Sequence, residues 1–219
     1  MTSKEPSIQA FEEYALEYDS WYFEHPSIFE SEAKAIEALG LSGLGLEVGV
    51  GSGVFARRLG VNVGIDPSLS MLLIAKRRGT AVVRAVGEYL PFRDRIFDYV
   101  LIVGTLCFLD EPSVAIKEVR RMLKSDGDLI VCEVPENSSW GKFIKEKGEA
   151  GHRFYSHAKL YTIVDIYNIL EDAGFRVVDV KGTLSFNPRE QEKVEEPKSD
   201  IEGKSFVCLR AQALERFPS

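Results

Sequence analysis

The chain has few of the residues that disulfide-rich, metal-binding or membrane-spanning proteins depend on. Its 219 residues include three histidines and only three cysteines, Cys107, Cys132 and Cys208, which lie far apart in apolar surroundings. An odd number of widely spaced cysteines predicts neither a disulfide framework nor a zinc site, and we expect no metal. No apolar run is long enough for a membrane helix, and no signal peptide is recognised. We therefore expect a soluble cytoplasmic protein that does not bind membranes.

The chain also has fewer positively charged than negatively charged residues. Lysine and arginine number 27 against 34 aspartates and glutamates, which gives a net charge of −7. This balance disfavours binding through nucleic-acid phosphates and favours a small or protein-bound substrate. With 45% apolar residues, the chain can bury a sizeable core, and residues 1–219 are expected to form a single domain.

The most informative stretch runs from Leu44 to Ala56: a short apolar strand, an acid, three alternating glycines and the start of a helix. Glycines at 49, 51 and 53 allow a sharp turn and a close approach of a ligand to the backbone. A glycine-rich turn between strand and helix is typical of nucleotide-type pockets. Residues 51–56 formally fit the dinucleotide fingerprint, with Ala56 in its last place.

Two features of this stretch argue against a dinucleotide. The acid that ends the next strand, Asp66, follows Gly51 by 15 positions, whereas the dinucleotide pattern places its ribose-binding acid about 20 residues downstream. Glu47, before the glycines, would repel a pyrophosphate at close range. Both acids suit a cationic ligand such as S-adenosylmethionine, which carries an ammonium and a sulfonium.

At these residues the sequence resembles the class I S-adenosylmethionine-dependent methyltransferases, specifically their small-molecule subgroup. Residues 47–53 look like the family's first motif, residues 66–71 like its second, and residues 115–124 like one of its helices. The resemblance implies an α/β fold: a Rossmann-like, doubly wound, seven-stranded sheet, mostly parallel with an antiparallel last strand. It also implies an N-terminal helical lid over residues 1–40, a cofactor-binding half over 41–134 and a substrate-side half over 135–219.

The same resemblance assigns the cofactor site. Glu47 would help hold the methionine moiety, Asp66 the ribose hydroxyls, and the glycines would admit the cofactor. Where the family usually has an acid that reads the adenine amine, this chain has Val86; the backbone of Gly87 and the Glu88 side chain are the candidate replacements, although Glu88 may equally be a solvated loop charge. The predicted cofactor-binding residues are Glu47, Gly49, Gly51, Gly53, Asp66, Pro67, Gly87, Glu88 and Gly104.

The acceptor side is less defined by the sequence. Aromatic residues at Tyr14, Tyr18 and Trp21 form either ordinary core packing or a roof over the sulfonium, since aromatic faces attract cations. Cys107 follows a strand end that should face the pocket, but it lacks a nearby activator, so a packed thiol is favoured over a nucleophile. The candidate substrate-binding residues are Tyr14, Tyr18, Thr105 and Cys107, and the candidate catalytic residues are His152, His157 and Tyr18.

Periodicity gives the remaining elements. Residues 8–39 read as helical with a break at His25-Pro26 and a second helix capped by Ser27 or Ser31. Residues 97–103 form a nearly all-apolar run typical of a central strand, and a fifth strand is predicted over 129–134. Residues 133–161 form either a substrate-shaping insertion or an amphipathic surface helix. Residues 187–205 read as a long mobile loop between two antiparallel strands, 175–183 and 206–211.

The sequence therefore predicts a methyltransferase that moves a methyl group from S-adenosylmethionine to an N, O or S atom of a small molecule, leaving S-adenosylhomocysteine. Two alternatives stay open: a non-catalytic sensor or partner protein that binds the same cofactor, and, disfavoured by the acid spacing, a nicotinamide-dependent oxidoreductase.

Overall fold

One mixed sheet organises the molecule, and the computed structural model describes it within residues 5–214. Its strands stand in the order β3-β2-β1-β4-β5-β7-β6. The pairs among β1 to β5 are parallel, and β7 runs antiparallel to both of its neighbours, β5 and β6. The predicted fold is confirmed. The strands are β1 (Gly45–Val48), β2 (Val63–Asp66), β3 (Ala81–Arg84), β4 (Phe97–Val103), β5 (Leu123–Glu133), β6 (Phe175–Thr183) and β7 (Phe206–Ala213).

Eight α-helices and two short 3-10 helices accompany the sheet within the described residues. No described helix is long and apolar enough to cross a membrane. The α-helices are α1 (Glu5–Glu13), α2 (Ala15–Glu24), α3 (Pro26–Glu37), α4 (Val54–Leu59), α5 (Leu69–Arg77), α6 (Pro112–Met122), α7 (Ser139–Glu149) and α8 (Ile163–Asp172), and the 3-10 helices are Leu106–Phe108 and Tyr155–His157.

The central strand β4 is covered on both faces, as its apolar run predicts. Val100 and Ile102 pack into one buried cluster, whereas Leu101, between them, packs into the other. Alternate residues of a strand point to opposite faces, so the sheet separates two hydrophobic layers. This arrangement leaves only the ends of the strands to carry a functional site.

Helix starts follow the sequence at two positions and depart from it at a third. The Ser68 hydroxyl accepts a hydrogen bond from the Met71 N–H at 3.2 Å and caps α5, and Thr162 with Asp165 forms a capping box on α8. The predicted caps of α3 are wrong. Pro26 already supplies the first helical residue, so Ser31 lies inside the helix, where its hydroxyl donates to the Ser27 carbonyl at 2.7 Å.

The N-terminal segment that was predicted as a helical lid forms three helices rather than two. The chain bends at Tyr14 as well as at His25, and both residues have backbone angles outside the helical range. No proline or glycine marks the first bend in the sequence, which is why periodicity alone missed it.

A disulfide between β5 and β7 departs from the expectation that the cysteines form no disulfide framework. Cys132 and Cys208 face each other across these antiparallel strands, with Cα atoms 4.0 Å apart, and are joined by a disulfide. Cys107 is the free cysteine of the described residues and is buried. β5 also begins at Leu123, earlier than the predicted 129, because residues 123–128 pair irregularly with β4.

Residues 187–205 lack helix and extended strand, as predicted, but they are tied to α3. The Glu192 carboxylate contacts the His25 ring, and the Glu195 N–H donates to the Ser31 hydroxyl at 2.9 Å. A single bridge also pairs Lys198 with Gly182. The segment is therefore a strap across the lid, held by contacts that sequence periodicity does not encode.

Candidate functional site

A cavity of about 510 Å³ lies at the carboxyl ends of β1, β2 and β4, beneath α1 and α2. Ligands of doubly wound sheets bind at this edge. The cavity brings together ten residues that the sequence singled out: Tyr18, Glu47, Gly49, Gly51, Asp66, Pro67, Gly87, Glu88, Gly104 and Thr105. Five others are not among the described residues that line it: Tyr14, Gly53, Cys107, His152 and His157.

The glycine loop after β1 shows why small residues stand there. Gly51 has φ +51°, and a Cβ on it would meet no protein atom within 4 Å, so its backbone opens onto the cavity. Gly53 has φ +77°, and its Cβ would lie 2.9 Å from that of Ala75. Gly51 therefore serves access to the cavity, whereas Gly53 allows α4 to pack closely against α5.

Glu47 ends β1 inside the cavity and is only 2% exposed. Within the part of the chain that the structure describes, its Oε2 atom has no hydrogen-bond partner. Burial and the neighbouring charge of Asp66 raise the pKa of Glu47, against a hydrogen bond from the Ala56 N–H. A buried acceptor without a donor is costly, so Glu47 fits a ligand that brings its own donor or positive charge.

Asp66 at the end of β2 is wrapped by the turn that follows it. Its Oδ1 accepts from the Ser68 N–H at 2.8 Å, and its Oδ2 accepts from the Gly51 N–H at 3.0 Å. Burial raises the pKa of Asp66 to about 6, although both hydrogen bonds oppose the shift. Each carboxylate oxygen can accept more than one hydrogen bond, so the fixed carboxylate can still bind hydroxyl groups from the cavity.

Glu88 lines the cavity and also supports the start of α6. Its Oε1 accepts from the N–H groups of Asp110 and Glu111 at 2.9 and 3.2 Å. A carboxylate at a helix N-terminus is electrostatically favourable. Glu88 is therefore positioned by this contact rather than solvated freely, and Val86 and Gly87 line the same part of the cavity.

The roof of the cavity is aromatic, but its residues differ in part from those predicted. Tyr18 lines the cavity together with Phe11 and Tyr22, and the Tyr18 and Tyr22 hydroxyls lie 3.3 Å apart. Tyr14 instead lies under the Arg153 guanidinium, whose Cζ atom is 4.2 Å from the centroid of the Tyr14 ring. Tyr18 and Tyr22 are four residues apart on one helical face, a spacing that could have identified Tyr22 from sequence.

Below the roof lies Glu133, at the end of β5, which the sequence analysis did not predict as a site residue. Its Oε1 accepts from the N–H groups of Thr105 and Leu106 at 3.0 and 2.7 Å. Burial raises the pKa of Glu133 to about 7, although these hydrogen bonds oppose the shift. Glu133 thereby fixes the turn that carries Thr105 into the cavity, and Cys107 lies behind this turn as a buried thiol.

The histidine candidates lie on the segment after α7. The His152 ring stacks on Tyr155 with centroids 4.3 Å apart, and burial lowers the pKa of His152. His157 ends the short 3-10 helix that begins at Tyr155. α7 itself is a surface helix, with only Gly141 buried, whereas Phe154 in the segment after it is buried and packs against Phe11 and Tyr18.

Comparisons with known proteins give a consistent family. A family model described as a methyltransferase domain matches residues 46–131. An uncharacterized protein of Methanocaldococcus jannaschii is 35% identical over 207 residues, which cover 94% of this chain and 100% of that protein.

Solved structures extend the comparison to the whole fold. A Thermotoga maritima structure, described as an S-adenosylmethionine-dependent methyltransferase and possible histamine N-methyltransferase, is 35% identical with a TM-score of 0.90, covering 94% of this chain and 99% of its own. A Haloferax volcanii methyltransferase in complex with the Trm112 methyltransferase activator has a TM-score of 0.70 at 16% identity, covering 94% and 98%. The second likeness concerns the fold alone.

Proposed function

Because this chain belongs to the S-adenosylmethionine-dependent methyltransferases, we propose that it transfers a methyl group to an N, O or S atom of a small molecule. One observation carries the small-molecule part of the proposal. The cavity that contains Glu47 and Asp66 is lined on one side by α1 and α2 and measures about 510 Å³. Because the same cavity must also hold the cofactor, the volume left for the acceptor under the aromatic rings favours a compact molecule over a macromolecule.

The residues at the donor end fit S-adenosylmethionine on grounds independent of the family. The unpartnered Oε2 of Glu47 suits the ammonium of the methionine moiety. Asp66 suits the ribose hydroxyls, and the open backbone of Gly51 gives the cofactor room. When bound, this cofactor supplies a methyl group on a good leaving group, so the protein mainly positions the acceptor and excludes water.

We propose three roles along the chain. Residues 1–40 act as the lid, residues 41–134 hold the cofactor, and residues 135–219 complete the acceptor side; residues 1–4 and 215–219 of these ranges lie outside the described residues. Within the cofactor-holding region, Glu133 fixes the turn that carries Thr105 into the cavity. The relative described as a possible histamine N-methyltransferase is consistent with a small acceptor for this chain.

The test is a pair of measurements on the full chain. Calorimetric titration with S-adenosylmethionine and with NAD establishes the cofactor, and release of S-adenosylhomocysteine over a panel of small amines, thiols and phenols establishes turnover. We expect S-adenosylmethionine to bind and at least one acceptor to be methylated. Binding without turnover across the panel would favour a sensor, and preferential binding of NAD would reject the proposed donor site.

A further inference from the structure

The ionisable side chains that line the cavity as acids have no basic counterpart there. Within residues 5–214, no lysine, arginine or histidine lines the cavity, although the chain has 27 lysines and arginines. The acids that line it are Glu47, Asp66, Glu88, Asp110 and Glu111. A ligand in this cavity therefore meets acidic side chains and no side-chain cation.

The acids stand both deep in the cavity and at its opening. Glu47 and Asp66 are buried at the ends of the neighbouring strands β1 and β2. The Oε2 atom of Glu47, which has no partner in the described chain, makes the inner wall a place for a donor or a cation. Asp110 and Glu111 are exposed, and their N–H groups donate to Glu88, so these three acids lie together at the opening.

Basic residues close to the lining are engaged by other groups. Arg84 stands beside Asp66 in the register of β2 and β3, but its Nε atom donates to the Pro67 carbonyl at 2.8 Å. The Arg78 guanidinium is paired with Asp19. Neither arginine lines the cavity, so no cation inside the cavity balances its acids.

The part of the cavity beneath α1 and α2 carries hydroxyl groups and rings instead of charges. The Tyr18 and Tyr22 hydroxyls lie 3.3 Å apart; when one donates to the other, the pair still offers one proton and free lone pairs to a ligand. Phe11 packs edge-on against both Tyr18 and Phe108, and all three line the cavity. These groups leave a buried anion unpaired, which is costly, whereas ring faces attract cations and accept apolar groups.

We propose that this cavity selects the methyl acceptor by charge: it takes compact neutral or cationic molecules and rejects those that carry a carboxylate or phosphate group. The inference rests on the proposed methyl transfer to a small molecule and narrows its substrate class. Like charges repel more strongly in a protein cleft than in water, so an anionic acceptor loses affinity to the acidic wall. S-adenosylmethionine fits the same rule, since its ammonium and sulfonium outnumber its one carboxylate and still leave the acids in excess.

Two cofactor analogues measure the charge preference without an acceptor. Sinefungin has the skeleton of S-adenosylhomocysteine with an amine-bearing carbon in place of sulfur, so it adds one positive charge where the methyl group is transferred. We expect calorimetry on the full chain to show that sinefungin binds at least about tenfold more tightly than S-adenosylhomocysteine at low salt. This preference should shrink at about 0.5 M NaCl, because salt screens the charges.

Acceptor pairs of nearly equal shape test the proposal directly. Phenylalaninamide with phenylalanine, 4-hydroxybenzamide with 4-hydroxybenzoate, and 4-mercaptobenzamide with 4-mercaptobenzoate each compare a carboxamide with a carboxylate. Wherever a member is methylated, release of S-adenosylhomocysteine should give a kcat/KM at least about tenfold higher for the carboxamide. A carboxylate that is methylated as well as its carboxamide overturns the proposal. If no member of the pairs is methylated, the sinefungin comparison decides.

Glu111→Lys and Glu171→Lys are the matched variants. Both glutamates are exposed, but Glu111 lines this cavity and Glu171 does not. Glu111→Lys should reduce the preference for sinefungin at least about threefold, and Glu171→Lys should leave it unchanged. Equal binding of the two analogues to the wild type, or a preference that neither salt nor Glu111→Lys reduces, overturns the selection by charge. Failure of both analogues to bind would overturn the proposed function instead.

Discussion

Arg78 and Asp19 form a two-point ion pair that joins the end of α5 to α2. The Arg78 Nη1 and Nη2 atoms donate to Asp19 Oδ1 and Oδ2 at 2.7 and 2.8 Å, and both side chains are largely buried. Nη1 also donates to the Ser52 carbonyl in the glycine loop at 2.6 Å. One guanidinium therefore holds α2 and the loop that shapes the donor end of the cavity.

Replacing Arg78 should weaken both the lid and cofactor binding. Arg78→Met removes the hydrogen bonds and leaves the Asp19 carboxylate without its partner, so we expect a loss of about 1–3 kcal/mol in the free energy of unfolding. We also expect a roughly tenfold higher Kd for S-adenosylmethionine, the equivalent of about 1.4 kcal/mol. Urea unfolding and calorimetry measure the two effects. Arg77→Met, at the exposed neighbouring position, is the matched control, and equal cofactor affinity in both variants would contradict this role.

Asp66 should determine cofactor affinity through its carboxylate rather than through the turn alone. Asp66→Ala removes the proposed acceptor of the ribose hydroxyls, and hydrogen bonds to a charged group are worth about 1.5–3 kcal/mol each. We expect the Kd for S-adenosylmethionine to rise at least about 100-fold.

Ser68→Ala separates the two contributions. It removes the cap of α5 and the bond from the Ser68 hydroxyl to Glu12, which loosens the same turn but keeps the Asp66 carboxylate. This variant should lose about 1 kcal/mol of stability and bind the cofactor within about threefold of wild type, since about 0.6 kcal/mol covers that factor. Comparable affinity losses in both variants would mean that the turn, not the carboxylate, matters.

Two glycines give a matched pair for testing where the cofactor lies. Gly51 and Gly60 both have positive φ, +51° and +71°, and at both a Cβ would meet nothing within 4 Å. Alanine at either position should therefore cost about 1–2 kcal/mol of folding free energy. Only Gly51 lines the cavity, so only Gly51→Ala should reduce cofactor binding. Thermal unfolding with and without S-adenosylhomocysteine measures both the stability and the ligand binding of each variant. If the ligand raises the melting temperature of the two variants equally, the cofactor does not bind next to Gly51.

The features on which the proposed donor site rests could be located from sequence because their determinants are local. The glycine turn, the acids at two strand ends and the Ser68 cap all lie within residues 44–71, and each follows from the residues next to it in the chain. Strand and helix types also followed, because the apolar run of β4 and the capping box on α8 are short-range patterns.

The rest depends on contacts between distant residues. Asp19 and Arg78 are 59 positions apart, and the disulfide joins cysteines separated by 76. The pairing of Cys132 with Cys208 follows from the register of β5 against β7, which the sequence does not specify by itself. Glu32 illustrates the same limit: a glutamate in a helical pattern is usually exposed, and only tertiary packing around α3 buries it.

The buried state of Glu32 should appear in the pH dependence of stability, independently of any substrate. Burial raises the pKa of Glu32 from its ordinary 4.5 to about 8. Between these values, the native protein keeps a proton that the unfolded chain releases. The contribution of Glu32 to the free energy of unfolding therefore has its full value below about pH 4.5. It decreases as the pH rises toward about 8, where the decrease levels off.

Glu32→Gln does not titrate, so it should escape this loss. We expect its free energy of unfolding, relative to that of wild type, to increase from pH 5 to pH 8 by up to about 1.4 kcal/mol per pH unit. The other buried acids, Asp66 and Glu133, are common to both proteins and cancel in the difference. Urea unfolding at pH 5, 6, 7 and 8 measures it. Parallel stability curves for Glu32→Gln and wild type would mean that Glu32 ionises in the native protein as readily as in the unfolded chain, which a carboxyl buried without a partner does not do.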